Sequence, residues 1–186
     1  MGKLYKLFFT SILALSVILL SGCTGNSAGP ETASGTPAEA GPSAGSITFE
    51  GTDMEGNAVT ADIFSRSKLT MVNVWATYCG PCLSEMPGLG KLAAEYDAEE
   101  FQIIGIVSDV LEGEDQALAE SLIRQTGADY THLLLNESVY YALLTDVDAV
   151  PTTFFLNRDG VVLDTVIGAM EKSAWEEIIN GLLEAQ

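Results

Sequence analysis

A strand-like run, Leu69 to Trp75, gives way to a helix-like one across Cys79-Gly80-Pro81-Cys82. That junction constrains the chain more than any other feature in it. Leu-Thr-Met-Val-Asn-Val-Trp is nearly all apolar or β-branched, as a strand buried on both faces should be. On the helix that follows, positions i and i+3 are neighbours. Cys79 and Cys82 can therefore close a small disulfide. A thiol at a helix N-terminus also feels the positive end of the macrodipole, which favours thiolate, the nucleophilic form. Cys79 opens the helix, so its sulfur is expected to be exposed and to attack. Cys82, one turn in, is expected to be buried and to resolve the mixed disulfide. Exported proteins commonly carry structural disulfides. A bridge over so short a loop, however, constrains the unfolded chain little. It would be a poor staple and a good redox pair.

The two ends of the sequence bound where such a dithiol would work. Lys3 and Lys6 precede an apolar stretch, Leu7 to Leu20, and then Leu20-Ser21-Gly22-Cys23. A basic start, a short apolar core and small residues before a cleavage point describe a secretory leader over residues 1–22. The stretch falls short of the roughly 20 residues a spanning helix needs. Residues 23–46 are rich in Gly, Ser, Ala, Thr and Pro and hold no large apolar side chain, so they cannot build a core. They read as a flexible tether averaging roughly 25 Å end to end. Residues 47–186 are enough for one core and one domain.

The formal charge is −18, and it becomes −20 once Lys3 and Lys6 leave with the leader. Such a surface repels nucleic acid phosphate and anionic headgroups. The ordinary reading of this acidity is solubility; the other reading is steering toward basic partners. Gly90-Lys91 lacks the preceding glycine and following hydroxyl of a phosphate loop, and no metal-ligand cluster is evident.

Periodicity and turn chemistry outline the rest. A hairpin is expected from Ile47–Phe49 and Ala58–Thr60 around Met54-Glu55-Gly56-Asn57. A helix follows over Pro81–Tyr96, kinked at Pro87, where the ring removes a hydrogen bond. Phe101–Val107 reads as a second buried strand. Glu114–Gln125 reads as an amphipathic helix with Leu118, Leu122 and Ile123 on its apolar side. Thr131–Leu135 is a short strand, and Ser138–Leu144 a helical turn or two. Thr152–Leu156 and Val161–Ile167 pair around Asn157-Arg158-Asp159-Gly160. Ser173–Leu183 closes the chain as a helix, with Ser173 as cap and Glu176 as its capping-box partner. The predicted architecture is α/β, with a central mixed sheet flanked by helices and an N-terminal hairpin extension.

Trp75-Ala76-Thr77-Tyr78-Cys79-Gly80-Pro81-Cys82, with Pro87 on the helix and Val150-Pro151-Thr152 far downstream, resembles the thioredoxin superfamily. Glu85 in Cys82-Leu83-Ser84-Glu85-Met86-Pro87 narrows the resemblance to extracytoplasmic thiol-disulfide reductases of the TlpA/ResA type. It covers roughly Ile47 to the C-terminus. The resemblance implies a thioredoxin-like fold, protein-disulfide reduction and no dissociable cofactor. Only about one X-Pro bond in twenty is cis in folded proteins. The resemblance nonetheless implies a cis Pro151 facing the dithiol, with the Val150 backbone free to pair with an extended substrate. Trp75, Tyr78, Gly80 and Pro81 would complete the substrate surface, the two aromatics walling the dithiol; plain core packing is the other reading of Trp75.

Glu85 lies about 60° from Cys82 around the helix. It is either a first-turn acid complementing the dipole or a proton acceptor for Cys82; the resemblance favours the second. Asn73 stands where thioredoxin itself carries a buried aspartate, and the TlpA/ResA pattern has asparagine there too. Leu20-Ser21-Gly22-Cys23 resembles the bacterial lipoprotein box, which would make Cys23 the lipidated first residue of the mature protein. More than one acyl chain anchors stably.

The implied protein is a monomer tethered to the extracytoplasmic face of a bacterial membrane. It would draw electrons from a membrane thiol carrier of the CcdA/DsbD type. It would pass them to exported disulfide-containing proteins such as apocytochrome c or a methionine sulfoxide reductase. Two alternatives share the fold. In thiol peroxidases a threonine stands three residues before the peroxidatic cysteine, where this chain has Ala76. Sco-like copper-binding lipoproteins use CxxxC plus histidine, where this chain has CxxC and the single His132.

Overall fold

The computed structural model describes residues 46–186. The leader, Cys23 and nearly all of the tether lie outside the described residues. Strands β1 (Glu50–Thr52) and β2 (Ala58–Thr60) form a separate antiparallel hairpin. The main sheet contains β3 (Leu69–Trp75), β4 (Phe101–Leu111), β5 (Thr131–Leu135), β6 (Thr152–Asn157) and β7 (Val162–Ile167) in the order β5-β4-β3-β6-β7. Its β3-β4 and β4-β5 pairs are parallel, and its β3-β6 and β6-β7 pairs are antiparallel. The helices are α1 (Gly80–Glu95), α2 (Ala117–Thr126), a short α3 (Glu137–Val139) that widens into a π turn over Tyr140–Leu144, and α4 (Lys172–Glu184).

The sheet divides two apolar layers because side chains on a strand alternate faces. On β3, Val72 and Val74 point to the layer of Phe64, Val139 and Leu143. Leu69, Met71 and Trp75 point to the opposite layer, where α1, α2 and α4 supply Met86, Leu89, Ala119 and Trp175. Asn73 falls in the second set by register. A polar side chain is thereby delivered to the face that α1 covers.

Four expectations need correction. The first strand of the hairpin is Glu50–Thr52, because Phe49 is spent on the core against Phe64. Strand β4 runs on to Leu111, where Glu112 N–H meets the carbonyl of Leu135. Helix α2 starts at Ala117 and buries Ala119, while Leu118 is 61% exposed. Helix α4 is capped at Glu171 without a side-chain bond; Glu176 pairs with Lys172, so the Ser173–Glu176 capping box is absent.

Candidate active site

Strand β3 ends at Trp75, and the four residues after it turn the chain into α1. Asp109, at the end of neighbouring β4, holds that turn. Its carboxylate accepts from Thr77 N–H at 3.0 Å and from the Thr77 hydroxyl at 2.5 Å. Cys79 then caps α1: Cys82 N–H donates to Cys79 Sγ at 3.2 Å. The two cysteines form a disulfide with their Cα atoms 5.3 Å apart. Cys79 is 6% exposed and Cys82 is fully buried. The expected order of exposure holds, but Cys79 is far more covered than a helix start alone implies. The Val150 carbonyl oxygen approaches to 3.6 Å from its sulfur.

The Val150-Pro151 peptide is cis. The loop carrying it is tied by Thr152 Oγ1 to the Ala149 carbonyl and by Gly168 N–H to the Pro151 carbonyl. Gly80 and Pro81 are exposed beside the dithiol, and Tyr78 is 78% exposed. Trp75 differs from expectation as a substrate contact. It is fully buried and supports the dithiol from below, because its Nε1–H donates to His132 Nδ1 at 3.1 Å. His132 Nε2 in turn lies 3.0 Å from the Ala128 carbonyl. Accepting at Nδ1 puts the ring proton on Nε2. Burial pushes the His132 pKa down to about 4. Both ring nitrogens are engaged, and the Tyr130 ring stacks on the imidazole. Space for that ring comes from Gly105, its register partner on β4: a Cβ there would stand 2.1 Å from Nδ1.

Glu85 is 5% exposed. Asn73 Nδ2 donates to its Oε1 at 3.0 Å. Met170 N–H and Trp175 Nε1–H donate to its Oε2 at 3.0 and 3.2 Å. Burial raises its pKa above the usual carboxylate value, and the three donors pull it back without cancelling that effect. Its hydrogen bonds therefore lead to Asn73, Met170 and Trp175, and to neither cysteine. Asn73 also donates to Thr153 Oγ1, while its own Oδ1 is buried with no partner. Outside the carboxylate lies a cavity of about 420 Å³ between α1 and the Ala169–Lys172 segment.

Sequence reasoning did not reach Met170, Trp175, Thr153 or Asp109. The alternation of β3 carried one usable signal, since it places Asn73 on the face of α1. Nothing local marks residues 170 and 175 as partners of residue 85.

Among known proteins the chain is 26% identical over 172 residues to the thiol:disulfide interchange protein DsbE of Escherichia coli K12, spanning 92% of this chain and 89% of that one. It is 27% identical over 128 residues to the thiol-disulfide oxidoreductase ResA of Bacillus thuringiensis Al Hakam, spanning 69% and 70%. The solved structure of a thioredoxin-family thiol:disulfide interchange protein from Chlorobium tepidum superposes with a TM-score of 0.63 at 23% identity, over 78% of this chain and 99% of that one. The profile of the Redoxin family matches residues 39–182. This thioredoxin-like chain, with its Cys79–Cys82 disulfide, belongs to the Redoxin family and is a thiol-disulfide oxidoreductase.

Proposed function

We propose that the protein works as a reductase of exported protein disulfides, held at the extracytoplasmic face of a bacterial membrane by lipid on Cys23. The observation that carries the direction of attack is the cap of α1. Cys79 is the more exposed sulfur, and it receives the Cys82 N–H at 3.2 Å. A hydrogen bond to the charged form stabilises thiolate.

The exchange balances in two steps. Cys79 thiolate attacks one sulfur of the partner's disulfide, and the partner's other sulfur leaves as thiolate. Cys82 then loses its proton and attacks Cys79 Sγ. The second partner thiol departs and the Cys79–Cys82 disulfide remains. Two electrons pass to the partner, and a membrane dithiol carrier of the CcdA/DsbD class returns them. Glu85, one turn along α1, accepts the Cys82 proton. Its burial and raised pKa favour proton uptake. Val150 presents its backbone to an extended partner segment beside the sulfur. The partners are exported proteins such as apocytochrome c or methionine sulfoxide reductases, and the protein acts as a monomer.

Trapping tests the reading. Cys82→Ser, expressed with its leader, should accumulate mixed disulfides through Cys79 with exported proteins, identifiable by mass spectrometry. Cys23→Ala should move the protein out of the detergent-partitioning pool. Faster alkylation of Cys82 than of Cys79 in the reduced protein would overturn the assignment of roles. An unmodified Cys23 in membrane-derived protein would overturn the anchor.

A further inference from the structure

A second cavity, of about 260 Å³, is lined by residues of the loops that flank the dithiol. Its walls include Tyr78, Tyr140, Leu144, Val147, Asp148 and Val150. Two of its lining residues neighbour the reacting sulfur: Tyr78 precedes Cys79 in the chain, and the Val150 carbonyl is 3.6 Å from Cys79 Sγ. Its volume is below the roughly 300–1,000 Å³ of a typical small-molecule site, and suits one or two side chains.

Two chemistries meet in it. Leu144 is buried at its floor, and the rings of Tyr78 and Tyr140, 78% and 44% exposed, stand at its sides. Tyrosine suits an interface because it offers a large apolar face and a polar tip. The charged lining residue is Asp148; no lysine or arginine lines the cavity, and Asp146 is exposed close by in the chain.

We infer that this cavity selects the partner: it takes an apolar side chain placed two residues from the partner's reactive cysteine, in a segment carrying lysine or arginine nearby. The spacing comes from strand geometry. In an extended segment, residues i and i±2 face the same way and lie about 6.6 Å apart. With the cysteine sulfur presented to Cys79, a residue two away is directed to the same surface. The charge complement comes from Asp148, within a chain of formal charge −18. The inference rests on the reductase reading above and adds the class of segment that this site prefers.

The test uses the reduced wild-type protein and symmetric disulfide dimers of short cysteine peptides. The peptides carry Leu, Phe or Gly two residues before or after the cysteine, and Lys or Glu as the flanking charge. Each rate of dimer reduction is divided by the rate with dithiothreitol, which removes the intrinsic reactivity of the peptide. Leu or Phe should exceed Gly about tenfold, as burial of a large apolar side chain allows. Lys should exceed Glu about twofold to fivefold at low salt, a difference that should shrink at high salt. Tyr140→Ser should flatten the apolar preference, and Asp148→Lys should reverse the charge preference. Normalised rates within twofold across the peptides would overturn the inference while leaving the reductase reading standing. So would preferences that survive both substitutions. Failure of the wild-type protein to reduce any dimer, or insulin, would take down both.

Discussion

The dithiol has two unlike flanks. On one side are the exposed rings of Tyr78 and Tyr140 and the half-buried Val150, whose carbonyl faces Cys79 Sγ. On the other are Glu85, Asn73, Thr153 and Trp175, all buried and tied to one another across β3, β6, α1 and α4. The open flank belongs largely to loops and the end of a π turn. The closed flank belongs to regular elements packed against the sheet. Loop surfaces tolerate change far better than packed polar networks do. Substitutions at Tyr140 or Asp148 are therefore expected to leave the buried network around Glu85 intact.

The largest effect comes from the sulfur that joins the two flanks. Cys79→Ser should reduce insulin disulfides no faster than background. Cys82→Ser should retain the first attack and stall as an adduct.

Next is the response of two buried groups, His132 beneath Trp75 and Glu85 on the closed flank, to acid. The folded pKa of His132, about 4, lies below its ordinary 6.5. The unfolded chain binds a proton there that the folded chain refuses, so stability is present above 6.5 and lost as pH falls toward 4. The full span is worth about 3 kcal/mol. Glu85 has the opposite sign. Its folded pKa lies above 4.5, so the folded chain holds a proton that the unfolded chain releases. Its contribution is fully present below 4.5 and is lost as pH rises through the folded value. Denaturant titrations across this range in wild type and Glu85→Gln separate the two. The variant should lose stability more steeply on acidification. Equal slopes would remove Glu85 from the balance.

Gly105→Ala tests the support beneath Trp75. The added methyl meets His132 Nδ1, the acceptor of the Trp75 bond. Overpacking of this kind destabilises by about 1–3 kcal/mol, measurable as a lower denaturant midpoint. The open flank should keep its peptide preferences in the fraction that remains folded.

Glu85→Gln also asks whether charge or shape matters on the closed flank. The fold can accept the change. A glutamine oxygen serves Met170 and Trp175, and its Nε2–H is accepted by Asn73 Oδ1 once that amide turns over, with the Thr153 hydroxyl then donating to Oδ1 in place of accepting from Nδ2. Proton acceptance is lost while packing is kept. Resolution of the mixed disulfide should slow about a hundredfold, the lower end of the range for general acid–base catalysis. The pKa of the reduced dithiol, which titrates as a pair, should fall because a nearby negative charge has gone. An unchanged titration together with an unchanged resolution rate would make Glu85 purely structural.

The smallest effect is expected at the turn before Cys79. Asp109→Ala leaves Thr77 N–H and hydroxyl to water at an exposed site. The expected loss is at most about 1 kcal/mol, read from the same denaturation curves.

The same division governs what could be read from residues alone. Strands β3 and β5 match their expected limits, because β3 is buried on both faces and β5 is a short apolar run between turn signals. The CxxC junction was legible because its spacing carries the chemistry. Leu118 misled because three apolar residues in α2 suit more than one helical stripe, and Ala119, small and unremarkable in a periodicity count, is what packs. Ser173 and Glu176 had the spacing of a capping box, but Lys172 claims Glu176. The partners of Glu85 lie 85 and 90 positions away in sequence. Only the docking of α4 against α1 and β3 brings them together, and no local pattern encodes that.

The two borders of the main sheet have one further consequence. The outer side of β5 is engaged by the N-terminal hairpin region, where Asp53 bridges Leu133 and Met54 N–H donates to the His132 carbonyl. The outer side of β7 pairs with no strand among the described residues, and Val162, Leu163 and Ile167 are exposed along it. Ribbon growth needs a donor border and an acceptor border on every subunit. A folded unit with one border closed can add a single neighbour across β7 and then offers nothing further to extend. Strand addition to the intact domain is therefore expected at β7 and not at β5, where the hairpin region already occupies the border.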